Sequence, residues 1–144
     1  MVIERVSSVS VELVAALEEL IPQLTGNNPP PSASELALLL ENDANALVVA
    51  RHPDENGRIV GAGALGVYRV PTGIRAVIED IVVDSSARGL GIGEAITREL
   101  LALARRAGAR GVSLTSNPGR EAANRLYLRL GFVLRQTNCY FFEF

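Results

Sequence analysis

The sequence predicts an α/β (α+β) fold in which helices cover a mixed β-sheet. Three observations predict it. The stretch Ile78 to Val83 is dense in β-branched residues and suits a buried strand. Ile92, Ala95, Ile96, Leu100, Leu103 and Ala107 recur at helical spacing. Between them, Gly89, Gly91 and Gly93 fall within five positions and turn the one element into the other.

Taken in order, Met1 to Val6 alternates loosely, as a first strand does. Ser10 is the expected N-cap of a helix whose Leu13, Leu17, Leu20 and Ile21 share a face. Gly26 to Pro31 is a rigid loop. Ser34 is the expected cap of a short second helix reaching about Glu41. Ala46 to Ala50 reads as a strand, Pro53 to Gly57 as a polar hairpin loop and Ile59 to Val70 as the return strand. In that return strand Gly61, Gly63 and Gly66 thin one face. Pro71-Thr72-Gly73 then turns the chain into the central strand. The third helix carries a Glu94–Arg98 pair, cations at Arg105 and Arg106 in its last turn, and Gly108 as its stop. Val112 to Thr115 is a short strand, followed by a helix from Arg120 to Leu130 that ends at Gly131. Phe132 to Leu134 and Tyr140 to Phe144 are the two last expected strands.

The chain has 144 residues, enough for one domain that buries roughly 68% of its unfolded surface. A net charge of −2 gives no reason to expect nucleic acid or an anionic membrane as partner. One cysteine, Cys139, rules out an internal disulfide, and one histidine, His52, argues against a His-based metal site, so no metal is expected. The N-terminus lacks a signal-peptide pattern, and no apolar run approaches the roughly 20 residues that span a bilayer. The expected setting is the cytoplasm.

The glycine turn carries the chemistry. Unpaired N–H groups at a helix N-terminus attract an anion, and glycine lets a phosphate come close to the main chain. Arg88 adds a charge-assisted contact, so the stretch predicts a diphosphate cradle. It is not the dinucleotide fingerprint, because Glu94 stands where the third glycine belongs, and no G-K-[ST] comes after it to make a P-loop. A glycine-rich turn without a ligand is the alternative reading. What remains, R-x-x-G-x-G at Arg88, Gly91 and Gly93, resembles the pyrophosphate turn of the GCN5-related N-acetyltransferases (GNAT). Asn124, Tyr127, Gly131 and Phe132 form a second motif, N-x-x-Y-x-x-x-G-F, which resembles the fourth helix of that family. The two motifs stand in the family's order and spacing, from Ile78 onward.

That resemblance implies one GNAT acetyltransferase domain over residues 1–144, with a mostly antiparallel six- to seven-stranded sheet and about four helices. It implies acetyl-coenzyme A as cosubstrate. Arg88, Gly89, Leu90, Gly91, Ile92 and Gly93 would hold its pyrophosphate, and the main chain of Ile81, Val82 and Val83 would pair with its pantetheine arm. Asn124 would contact the pantetheine or order the site. On the residues alone Tyr127 reads as core filler on an amphipathic helix; the resemblance makes it the general acid on the leaving thiolate, since a phenol with a pKa of roughly 10 is protonated at neutral pH. Glu79 and Asp80 are the candidate bases, and strand alternation puts them on opposite faces, with Glu79 favoured. The I-E-D-I run also resembles that of glucosamine-phosphate acetyltransferases, in which both carboxylates border the active site. Asp84 reads as part of the turn entering the glycine loop, His52 as part of a solvated turn and Cys139 as structural.

The implied activity is direct transfer of acetyl to the primary amine of a small molecule or peptide. A coenzyme A-binding sensor without turnover is the competing reading. An assembly role is a third, since Tyr140, Phe141, Phe142 and Phe144 make an aromatic end suited to a neighbour's sheet edge in a homodimer.

Overall fold

Two apolar clusters, one on each face of a single sheet, organise the chain. The structure is a computed structural model and describes residues 1–144. Its elements are β1 (Val2–Arg5), α1 (Val11–Leu24), α2 (Ala33–Glu41), β2 (Asn45–His52), β3 (Arg58–Val70), β4 (Gly73–Val83), α3 (Ile92–Arg106), β5 (Val112–Ser113) and α4 (Glu121–Arg129), with a 3₁₀ turn at Ser85–Ala87. The strands lie in chain order, antiparallel from β1 to β4, and β5 joins β4 in parallel.

Leu13, Leu17 and Leu20 of α1 and Leu36 of α2 pack on one face against Leu47, Val49, Ala62 and Val82. Ile92, Ile96, Leu100 and Ala104 of α3, with Tyr127 of α4, pack on the other against Val48, Val60, Ile78 and Ile81. Along β2 the two sets alternate residue by residue, the period-2 signature of a strand buried on both faces. Glycines in β3 set how close α3 sits. A Cβ at Gly63 would lie 2.9 Å from Ile96 Cγ2 and 3.1 Å from Leu100 Cδ1.

Helix ends obey local chemistry. The Ser10 hydroxyl accepts from the Leu13 N–H at 3.1 Å. For α2 the cap is Ser32 rather than the expected Ser34. The S-x-x-E spacing of Ser32 and Glu35 closes a capping box, with Glu35 N–H to Ser32 Oγ at 3.2 Å and Ser32 N–H to Glu35 Oε2 at 2.7 Å. Gly108 (φ +87°) ends α3, with bonds from the Ala109 N–H to the Ala104 carbonyl and from the Gly108 N–H to the Arg105 carbonyl.

The sheet has five strands, not six or seven. The expected strands at Phe132–Leu134 and Tyr140–Phe144 do not form, and no backbone–backbone hydrogen bond involves a residue beyond Phe132. An aromatic run favours a strand only where a neighbouring edge can take its N–H and C=O groups. Here β5 has just two residues, a short edge for two further strands to build on. Val133, Leu134, Tyr140, Phe141, Phe142 and Phe144 are exposed as a result. No helix is long and apolar enough to cross a membrane.

Gly63→Val will test how tightly α3 is seated. The branched side chain must displace Ile96 or Leu100, so stability should fall by about 1–3 kcal/mol, read as a lower urea midpoint. An unchanged midpoint would mean that the helix floats on the sheet.

Candidate active site

β4 is paired along its length by β3, but β5 covers its other edge only at Ala76 and Val77. Beyond Val77 that edge carries no strand. Two side chains reach it: Arg120 Nη2 donates to the Ile81 carbonyl at 3.1 Å, and Arg88 Nε to the Val83 carbonyl at 3.3 Å. Main-chain groups of Ile81 and Val83 thus point outward, as they must in a strand that could accept an extended amide-bearing ligand.

The same strand runs into the glycine turn. Asp84 is buried and starts the 3₁₀ turn, accepting from the Ser86 N–H at 2.8 Å and from Arg58 Nη1 at 3.2 Å. The Ser86 hydroxyl, its N–H and the Arg58 guanidinium together hold the Asp84 carboxyl far below the ordinary carboxylate range. Gly89 (φ +80°) and Gly91 (φ +77°) then take left-handed backbone that side chains resist. Gly91 is the N-cap of α3 and supplies no capping side chain. The first helical bond runs from the Ala95 N–H to the Gly91 carbonyl, so the N–H groups of Ile92, Gly93 and Glu94 find no acceptor in the chain. A Cβ at Gly89 or Gly91 would meet nothing within 4 Å, so open space lies over these donors. Arg88 is exposed, and Leu90 between the glycines is exposed too. This geometry fits a diphosphate.

At the I-E-D-I run the expectation of strict alternation fails. Asp80 has φ +54°, and the register with β3 shifts between Ala62 and Ala64. A bulge adds one residue to β4 and inverts the parity of the residues beyond it. Ala76 and Ile78 face α3 before it, while Ile81 does so after it and Val82 turns to α1. Glu79 and Asp80 are therefore both exposed, side by side, at the start of the unpaired edge. Glu79 pairs across the sheet with Ala64, which packs on the α1 side, so Glu79 shares that face. Partial burial, then the neighbouring Asp80 charge, pushes the Glu79 carboxyl above its usual pKa.

Tyr127 lies on the opposite face, buried in the α3 cluster. Its backbone explains the spacing of the second motif. Gly131 (φ +95°) is the left-handed residue after α4, and the Phe132 N–H bonds the Tyr127 carbonyl at 3.0 Å. Tyr127 and Phe132 are thus the third-from-last and second-beyond positions of a glycine-terminated helix, which normally touch. Their rings meet edge to face, centroids 5.7 Å apart. The phenol hydroxyl makes no hydrogen bond in the chain, and it is not among the sealed, unpartnered polar atoms, so it keeps an opening to solvent. Burial raises its pKa and the Arg120 charge opposes that rise. A core tyrosine normally satisfies its hydroxyl; this one keeps its proton and leaves it uncommitted. Asn124 Nδ2 donates to the carbonyls of Asn117 at 2.9 Å and Arg120 at 3.0 Å, which orders the loop before α4.

Residues 13–132 match the model of the Acetyltransferase (GNAT) family. The chain belongs to the GNAT acetyltransferases. It is 38% identical to a glucosamine 6-phosphate N-acetyltransferase of Trypanosoma brucei brucei over 120 residues, 79% of this chain and 78% of that protein. It is 35% identical to a probable glucosamine 6-phosphate N-acetyltransferase 2 of Oryza sativa subsp. japonica over 126 residues, 83% and 73% of the two chains. Among solved structures, a Trypanosoma brucei acetyltransferase superposes with TM-score 0.75 at 30% identity, covering 98% of this chain and 99% of its own. A putative acetyltransferase from Agrobacterium tumefaciens gives TM-score 0.83 at 23% identity, covering 99% and 100%, and shows the shared fold. The protein is an acetyl-CoA-dependent N-acetyltransferase.

In this GNAT enzyme the unpaired edge brings together Glu79, Asp80, Ile81, Val83 and Arg88, while Tyr127 shares the α3-side cluster with Ile81. His52 lies at the end of β2, and Cys139 sits on the exposed end. Sequence reasoning passed over Arg120, although a cation at a helix N-terminus was a visible anomaly.

Asp84 yields a pH test. Its folded pKa lies below the unfolded value of about 3.9, so its contribution is complete above that pH and lost as pH falls toward the folded value. Asp84→Ala should lower stability by roughly 1–2 kcal/mol at pH 7. The gap to the unmodified protein should stay flat from about pH 8 to 5 and close below about 4. Thermal melts across that range decide it, and a gap that persists unchanged in strong acid would contradict the ion-paired assignment.

Proposed function

We propose that this enzyme transfers acetyl from acetyl-coenzyme A to the amine of glucosamine 6-phosphate, directly, within a ternary complex. The observation that carries the acceptor is the 35–38% identity, over about four-fifths of the chain, to proteins of that activity. The uncapped turn from Arg88 to Gly93 would hold the cofactor's diphosphate, and the outward main chain of Ile81 to Val83 its pantetheine amides. Asn124 would steady the loop beside that arm.

Chemistry is then divided between the two faces of the edge. Glu79, with its raised pKa, takes a proton from the attacking ammonium or amine; Asp80 next to it adds the charge that keeps Glu79 basic. The amine nitrogen bonds the thioester carbonyl carbon, the C–S bond breaks, and Tyr127 gives its proton to the departing sulfur. A protonated, unbonded phenol supports that role better than a core-filling one. The same feature weighs against the reading as a sensor without turnover.

Thiol release measured with glucosamine 6-phosphate, glucosamine, amino acids, polyamines, aminoglycosides and peptide N-termini tests the reading. The phosphorylated aminosugar should react fastest. Tyr127→Phe should lower kcat about 10²–10⁴-fold with little change in acetyl-coenzyme A affinity. Faster reaction with another amine would replace the acceptor, silence with all of them would favour the sensor, and an unimpaired Tyr127→Phe would return the tyrosine to the core.

A second copy of the chain is the proposed occupant for the aromatic end. Residues 133–144 hold six exposed large apolar side chains, and β5, the last strand of the sheet, is a two-residue edge. Like edges pair without a foreign partner. Light scattering should find a dimer, and truncation after Phe132 should give a monomer. A monomeric full chain would remove this proposal.

A further inference from the structure

Arg120 breaks two local rules at once. It is the N-cap of α4 yet makes no side-chain cap bond, where an oxygen-bearing side chain is preferred. It also places a cation at the end of a helix that repels one. Such a violation points to a gain outside the helix itself. The gain is not an ion pair. The arginines paired with carboxylates are Arg51, Arg58, Arg98, Arg106, Arg125 and Arg129. Arg120 instead spans the gap beside the unpaired edge of β4, where Nη2 donates to the Ile81 carbonyl at 3.1 Å. One of its five donors is thereby used.

The backbone beneath the guanidinium is also held in place. Asn124 Nδ2 clamps the Arg120 carbonyl at 3.0 Å and the Asn117 carbonyl at 2.9 Å, so the backbone that carries the cation is tied to its own helix and loop. Two turns along α4 stands Tyr127, with its uncommitted hydroxyl. Phe132 meets that ring edge to face, and Ile92 and Ile96 belong to the same apolar cluster.

We propose that Arg120 is a positioning residue for acetyl transfer: it fixes the open edge of β4 against α4 and sets a positive charge beside the proton donor. This rests on Tyr127 acting as that donor. When the C–S bond breaks, sulfur keeps the electron pair and receives the phenol proton, so negative charge passes from sulfur to the tyrosine oxygen until solvent returns a proton. The Arg120 charge, which acts on the Tyr127 phenol, favours each stage. The ordering by Asn124 matters because a cation already held needs no reorganisation during the reaction.

The test is a double-mutant cycle, run with whichever amine of the panel reacts fastest. Arg120→Ala should lower kcat at least about tenfold with less than about a threefold change in KM for acetyl-coenzyme A. Added guanidinium ion should restore part of that loss, and Arg120→Lys should keep part of the rate. In a Tyr127→Phe background Arg120→Ala should cost much less, because the proton donor it serves is gone. Equal losses in both backgrounds, or a loss confined to KM, would overturn the proposal. So would full activity of a folded Arg120→Ala enzyme. Should Arg120→Ala fail to fold, Arg120→Gln in the same cycle gives the same reading. A slow Tyr127→Phe beside a fast Arg120→Ala rejects Arg120 alone, whereas an unimpaired Tyr127→Phe rejects the donor itself.

Discussion

Everything in the site depends on where β4 loses its second neighbour. Two residues of β5 cover Ala76 and Val77, and the strand then runs six residues further with one edge bare. Bare strand edges carry unpaired main-chain groups and are normally covered or blunted. Here the edge is flanked by arginines and ends in a turn whose N–H groups are also unpaired. Outward main-chain groups thus lie at Ile81 and Val83 and again at Ile92 to Glu94, on either side of the self-bonded turn at Asp84 to Ala87, which suits a long ligand with amides at one end and phosphates at the other.

The bulge at Asp80 sits where that path begins. It places two carboxylates next to each other at the surface, and their mutual repulsion, added to partial burial, makes Glu79 a better base than an ordinary carboxylate. It also reverses which residues face which helix, so Ile81 can pack on α3 while Val82 packs on α1. A left-handed aspartate costs backbone strain, roughly 1–2 kcal/mol for a non-glycine residue. Strain at such a position is commonly tied to function.

On the far side, α4 is anchored by its end rather than its length. The glycine-terminated turn locks the Tyr127 backbone to Phe132, and Glu94 bridges the helices through Arg129 at 3.2 Å while pairing Arg98 on its own helix at 2.8 Å. Leu126 Cδ2 would lie 3.5 Å from a Cβ at Gly93, so the helix carrying the tyrosine also lies against the start of α3. The glycine turn and the helix that carries Tyr127 are therefore packed together.

Local sequence dictated the helices, the first four strands and the glycine turn, because periodicity, capping residues and left-handed glycines act within a few neighbouring residues. Gly108 and Gly131 ended their helices where a local rule says they must. Residue chemistry also marked Arg88, Glu79 and Asp80 as groups with something to offer, and the resemblance of its helix to the family's fourth marked Tyr127. Long-range pairing settled what local pattern cannot encode. Whether Tyr140 to Phe144 becomes a strand depends on an edge elsewhere that will accept it, and β5 has only two residues. Whether Glu79 and Asp80 face apart depends on pairing with β3, where one extra residue undid the alternation. Arg120 meets the edge of β4 only because folding carries Ile81, thirty-nine residues away in sequence, to within a hydrogen bond of its guanidinium.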